Sequence, residues 1–232
     1  MLLPYYAIGS EADKIEKGLT AEFMQHFDPV FVSKTGMSLP IILPDETARL
    51  VFAIWGIPGK KTFRIPWISS AGIVKNRNTR FMIRKQRCLV PANGIYVKTP
   101  DAYYFIYIPK IPVFTLGGIF TIRQQHETGH QVIEFSIVTH PVSTGLGKLA
   151  PDMPLIISGS SRRKYLNRER PLMDITQMMN RETKLKFNGL KVSPEIFSKK
   201  NPGKSDFNKN GQKFVNRQKF PEKEILGSYY FY

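Results

Sequence analysis

Three segments between residues 102 and 139 constrain the fold of this chain more than any other feature. Residues 102–108 (AYYFIYI), 113–122 (VFTLGGIFTI) and 132–139 (VIEFSIVT) are dense in β-branched and aromatic side chains, which fit a pleated, half-buried surface. Pro109 and Pro112 break the first gap and the polar run 124–131 fills the second, so the three read as neighbouring antiparallel strands. Residues 39–43 (LPIIL) and 48–55 (ARLVFAIW), joined by a Pro44-Asp45 turn, add two more. Residues 88–90 and 95–98 form strand pieces bent at Pro91-Ala92-Asn93-Gly94, and 155–157 is a last strand. Between these lie helical stretches. Residues 11–27 give one or two turns, 71–85 a basic segment that becomes helical, and 162–167 and 175–180 two short helices. Residues 59–67 read as a basic loop. The expectation is an α+β fold: a mainly antiparallel curved sheet or open barrel with short helices inserted, in one domain spanning 1–232. Residues 194–224, rich in Lys, Asn, Pro and Gly, read as an irregular basic segment. The final Ile225-Leu226 and Tyr229-Tyr230-Phe231-Tyr232 are apolar enough to dock on the body.

Charge narrows the partners. The chain carries 34 Lys+Arg against 18 Asp+Glu, a net +16. From Thr47 to Pro100 there is no acidic residue but eleven basic ones: Arg49, Lys60, Lys61, Arg64, Lys75, Arg77, Arg80, Arg84, Lys85, Arg87 and Lys98. Residues 161–224 add 17 basic and 7 acidic. A single-sign field of this extent favours polyanions through counterion release from phosphates. A solvated surface that aids solubility is the plainer alternative. One cysteine, Cys88, excludes a disulfide framework and a cysteine-based zinc cluster. No apolar run approaches the ~18 residues of a bilayer span. The start Met1-Leu2-Leu3-Pro4 lacks the basic and apolar regions of a secretory signal. A cytoplasmic protein, with no membrane partner and no cofactor, is expected.

The segment Arg87-Cys88-Leu89-Val90-Pro91-Ala92-Asn93-Gly94-Ile95-Tyr96 resembles the R-C-[L/I]-[V/I]-P-A-[D/N]-G-[F/W]-[Y/F]-E-W element of the SRAP family, the SOS response-associated peptidases. Further landmarks follow in order: Trp55-Gly56, then Ile68-Ser69-Ser70-Ala71-Gly72 where the family has I-N-A-R-x-E. The strand over 114–120, the segment 135–139, Leu149-Ala150-Pro151-Asp152-Met153-Pro154 over I-H-D-R-M-P, and Val192-Ser193 complete the series. The resemblance implies binding of single-stranded DNA and covalent trapping of abasic sites. In the family, a cysteine after the initiator methionine closes a thiazolidine ring with the sugar aldehyde, beside an Asn, a Glu and a His. The same cysteine is invoked in autoproteolytic trimming.

On the family's pattern each chemical position of this chain is altered. The cysteine position holds Leu2, the Asn position Ser70, the Glu position Val97 and the His position Ala150. The Arg and acidic positions of I-N-A-R-x-E hold Gly72 and Val74, and the Arg of H-D-R holds Asp152. An aliphatic side chain supplies neither nucleophile nor proton, so no intact catalytic residue is expected. The scaffold positions Trp55, Gly56, Pro91, Gly94, Met153 and Pro154 are kept. Other groups could still react. His140 ends a predicted strand near the lost His. His126-Glu127-Thr128-Gly129-His130 matches H-E-x-x-H, but between strands and with a glycine it lacks the helix that zinc ligation by that motif needs. Cys88 reads as a core thiol. The Met1 α-amine, with a pKa near ~8, could form a reversible Schiff base.

Three functional readings follow. The first is an inactive homologue that still binds single-stranded or damaged DNA through a basic groove built from Trp55, Lys60, Lys61, Arg64, Trp67, Lys75, Arg77, Arg80 and Arg84. There Trp55, Phe63 and Trp67 alternate with cations, as single-strand binding needs, although Trp55 also suits a core position. The second is an enzyme using the Met1 amine, or a peptidase. The third is a protein-interaction module whose altered cleft has become apolar.

Overall fold

Arg87–Ala92 is buried at every position, and the rest of the architecture is arranged around it. The computed structural model describes residues 2–8, 22–23, 30, 32–44, 49–59, 63–124, 129–142, 150–181, 185 and 187–198. Among them, strands run in chain order as β1 (Leu2–Ala7), β2 (Glu22–Phe23), β3 (Ser38–Leu43), β4 (Arg49–Trp55), β5 (Ile57–Pro58), β6 (Arg64–Ile65) and β7 (Trp67–Ser69). They continue as β8 (Arg87–Ala92), β9 (Gly94–Lys98), β10 (Tyr103–Tyr107), β11 (Phe114–Gln124), β12 (Gln131–Pro141), β13 (Asp152–Pro154), β14 (Ile156–Ile157) and β15 (Asn188–Val192). Four helices complete the set: α1 (Ser70–Lys75), α2 (Arg77–Lys85), α3 (Ser161–Leu166) and α4 (Leu172–Asn180).

Strands β12, β11, β8, β3 and β4 are hydrogen-bonded in that order, and β4 bonds back to β12, which closes a five-stranded barrel. The closing step is parallel, Glu134 beside Ile54 and Phe135 beside Trp55, whereas β3–β4, β8–β11 and β11–β12 are antiparallel. The α+β class and the barrel-like sheet expected from the sequence are therefore present. The barrel is shut because β4 ends against β12 before its edge can open to water. Closure removes the unpaired strand edges of an open sheet. A second, wholly antiparallel sheet runs β1-β9-β10-β15. The turn between β8 and β9 joins the two, with the Asn93 amide donating to Ala7 O at 2.8 Å. Gly94 follows because the Phe105 ring lies where a side chain would stand, 2.3 Å from an ideal Cβ.

Most apolar side chains form one continuous core that includes Leu39, Ile41, Trp55, Cys88, Val90, Val97, Leu116, Phe135, Ile137 and Ala150. A smaller one, with Ala7, Val32, Tyr96 and Val192, lies on the other face of the second sheet under Phe197. The N-terminal strand is tied down by Ser33, whose buried hydroxyl accepts from Tyr6 N at 2.9 Å and donates to Tyr6 O at 2.7 Å.

Several local expectations need correction. The 59–67 loop contains β6, paired to β5 through Ile57–Ile65 and Pro58–Arg64, and leads into β7. There the backbone ladder outweighs the Gly and Pro signals. In the supposed helix 11–27 the described residues Glu22 and Phe23 pair in parallel with β4, and the others lie outside the described residues. The sheet is mainly antiparallel, as expected, with parallel pairings at β2–β4, β4–β12 and β7–β12. At the start of the basic tail, Pro194–Phe197 is a 3-10 turn rather than irregular chain, with Ser193 Oγ accepting from Glu195 N. Residues 199–232, including the apolar terminus, lie outside the described residues, as do Asp45 and the rest of its turn to residue 48.

Candidate functional site

Two regions bear on function: the residues where the resemblance places chemistry, and the basic face of α1 and α2. In the first, Leu2 stands opposite Val97 in the β1–β9 ladder. Val97 is completely buried, and so is Ala150. Both belong to the main apolar core, where neither can hold or move a proton. Ser70 is buried as the first residue of α1. The preceding Ser69 caps that helix, its Oγ accepting from Gly72 N at 3.0 Å. Ser69 pairs with Thr139 and His140 with Met153, so Ser70 and His140 gather near the end of β12. His140 is nearly inaccessible, although it lies at the end of its strand. His130 is exposed immediately before β12, and His126 to Thr128 lie outside the described residues. Cys88 is buried at the heart of the barrel, and burial pushes its thiol well above the usual range, so it stays protonated and unreactive.

The basic face is built locally. Asn76 ends α1 and starts α2, its side chain accepting from Asn78 N at 2.9 Å and Thr79 N at 3.4 Å. Thr79 Oγ1 reaches back to Ile73 O at 2.9 Å, and the buried Ile73 and Ile83 anchor the pair of helices. Their outer side carries Lys75, Arg77, Arg80 and Arg84, all exposed. Among the described residues none of the four is paired with a carboxylate.

Other residues expected in the groove are placed elsewhere. Trp55 is fully buried, edge-on to Tyr6 at 4.9 Å and to Trp67 at 5.3 Å, with its indole N–H donating to Pro66 O. It has no free face for a base; closure of the barrel at Phe135 encloses it. Trp67 is half-buried beside it. Arg64 is committed to protein: its Nη1 donates to Gly56 O at 2.7 Å and to the buried Glu134 at 3.0 Å. Arg123 holds the same carboxylate at 3.1 Å, and that hydrogen bond raises the arginine's proton affinity. Lys60, Lys61 and Met1 lie outside the described residues.

Two features escaped sequence reasoning. Arg87 looks like one more cation in a basic run, yet it is 1% exposed. Its guanidinium donates to Ile83 O at 2.5 Å, Arg84 O at 2.6 Å, Tyr165 O and Asn167 O, which caps the C-terminal ends of α2 and α3 together. Burial, and then the like charge of Arg168, lower its proton affinity, against a raising effect of Tyr165. Phe81 on α2 is 58% exposed. Its position was legible: two residues from the buried Ile83 is about 200° around a helix, the opposite face.

The comparisons agree with this architecture. No curated protein matches the chain. A solved protein from Bacteroides thetaiotaomicron has a TM-score of 0.74 at 19% identity, over 85% of this chain and 95% of that one. One from Bordetella bronchiseptica gives 0.69 at 14%, over 82% and 98%. A phage-related protein of the same organism gives 0.65 at 18%, over 81% and 93%. At such identities the likeness is one of fold. The model of the family "SOS response associated peptidase (SRAP)" matches residues 6–199, which takes in the barrel, strands β9, β10 and β15 of the second sheet and all four described helices. The chain belongs to the SRAP family.

Proposed function

We propose that this SRAP protein binds single-stranded or damaged DNA without forming a covalent bond to it. The observation that carries the reading is a contrast in placement. The positions aligned with the family's Glu and His are Val97 and Ala150, enclosed in apolar core, while Lys75, Arg77, Arg80 and Arg84 stand exposed on α1 and α2 without carboxylate partners. The first half removes the proton shuttle. The second leaves a cationic face whose charge is available to phosphates. Arg64 then acts as a support, since its pairing with Glu134 holds the β5–β6 ribbon to β12.

The test is the affinity for a fluorescent single-stranded oligonucleotide against salt. Four phosphate contacts give a slope of about −2.8 in log K against log salt, or about a 50-fold loss from 50 to 200 mM. Arg77→Glu with Arg80→Glu should flatten that slope. No binding at low salt refutes the reading. A heat-resistant conjugate with an abasic strand on a denaturing gel refutes its noncovalent part. An adduct seen only with borohydride would transfer the role to the terminal amine.

A further inference from the structure

We propose that Phe81 is a base-stacking platform at the centre of a strand-binding face on α2. The proposal rests on the nucleic-acid reading above and names the residue that would make the face prefer single strands. An outward phenylalanine forgoes part of its hydrophobic burial, whereas Tyr165, the aromatic ring on α3, and Trp55, Phe114, Phe120 and Phe135 on the barrel strands are buried. Its surroundings are not those of a stray apolar residue. Arg77 stands four residues before it and Arg84 three after, so both flank the ring on the helix surface. Arg80 adjoins in sequence, and α1 and α2 contain no acidic residue.

The end of the helix is also adapted. A helix C-terminus presents carbonyl oxygens and a partial negative charge, which repel phosphate. Here the Arg87 guanidinium binds the Ile83 and Arg84 carbonyls from within. Its partners are all backbone oxygens, so its own charge is uncompensated by any described carboxylate. The face thus keeps Arg77, Arg80 and Arg84 exposed without carboxylate partners among the described residues, while Lys85 at its end pairs with Glu169.

The chemistry selects the occupant. A protein-binding helix or a membrane-surface helix needs an apolar stripe. The outer side of α2 offers one ring among Arg77, Asn78, Arg80, Arg84 and Lys85. A single strand matches that pattern, with cations along its phosphates and a ring under a base. Duplex bases are stacked on each other and offer no face to Phe81.

The experiment compares the full-length protein with Phe81→Ala, on a fluorescein-labelled 20-mer single strand and its duplex. Phe81→Ala should weaken single-strand binding about tenfold, leave the salt slope unchanged because no charge is lost, and leave duplex binding unchanged. Phe81→Trp should restore affinity. Phe81→Ala binding the single strand as tightly as the parent overturns the proposal, and so does an equal loss on strand and duplex. Failure of the parent to bind either probe at low salt is a different result, which removes the nucleic-acid reading itself. The substitution is at the surface, so an unchanged melting temperature shows that each variant is folded.

Discussion

Replacing Arg87 with methionine should destabilise this protein more than any other change to a charged residue in the described structure. The perturbation leaves four backbone carbonyls without their donor: Ile83, Arg84, Tyr165 and Asn167. Each buried acceptor left unsatisfied costs about 1–3 kcal/mol. Two corrections reduce the sum. Methionine no longer incurs the several kcal/mol of desolvating a guanidinium, and the Arg84 and Asn167 contacts are only part-buried, so water can replace them. The net loss is about 3–5 kcal/mol, the range found on breaking a buried charged interaction. For a protein of this size each kcal/mol shifts the melting temperature by about 2–4 °C, so Arg87→Met should melt roughly 6–20 °C lower. Arg87→Lys separates charge from geometry. It keeps the cation but has a point charge in place of the planar fork, so it should lose about half as much. Thermal unfolding by circular dichroism gives the shift. Hydrogen exchange should show the last turns of α2 and α3 loosening together, because one guanidinium caps both. A melting temperature within about 2 °C of the parent, or a lysine variant as stable as the arginine, would refute the reasoning.

Two further outcomes follow from burial. Burial raises the pKa of Cys88, Tyr6, Tyr96 and Tyr165. Above their ordinary values, about 8.5 for the thiol and about 10 for the phenols, the unfolded chain loses these protons first. Stability should then be flat below about pH 8 and fall with rising pH, by up to about 1.4 kcal/mol per pH unit per group. Urea unfolding from pH 7 to 11 tests the sign and shape: a flat profile contradicts it, and a thiol reagent should reach Cys88 only in the unfolded protein. Gly94→Ala would place a methyl 2.3 Å from the Phe105 ring and 2.7 Å from Ile106 O. Since backbone and a half-buried ring packed on Tyr96 must both move, we expect a loss of about 3 kcal/mol, checked as a lowered urea midpoint or insoluble expression.

What was readable in the sequence was what is local. Strands β8 to β12 announce themselves because the chain between Arg87 and Pro141 alternates β-branched and aromatic residues with short turns. The closing pair, Phe135 beside Trp55, joins residues eighty apart in sequence and leaves no local trace, so the sequence points to an open barrel, and of the two readings of Trp55 the core position is the one observed. The basic run misleads for the same reason. Of its eleven cations, Arg87 is buried, Arg64 is held by Glu134, Lys85 by Glu169 and Lys98 over the ring of Tyr103. Arg49 has a partner as well. Glu134 lies beyond the acid-free stretch, so no count along 47–100 could have found it. A phosphate meets only what the fold leaves outside, and among the described residues of that run this is Lys75, Arg77, Arg80 and Arg84. The helix period places Lys75 opposite Ile73 and turns Arg77 and Arg84 by about 100° or more from Ile83, while Arg80, one turn before Ile83, reaches solvent at the edge of the buried face. The same reasoning places Phe81 with them. For a chain like this, the charge on one helix face predicts its partner better than the charge of the whole.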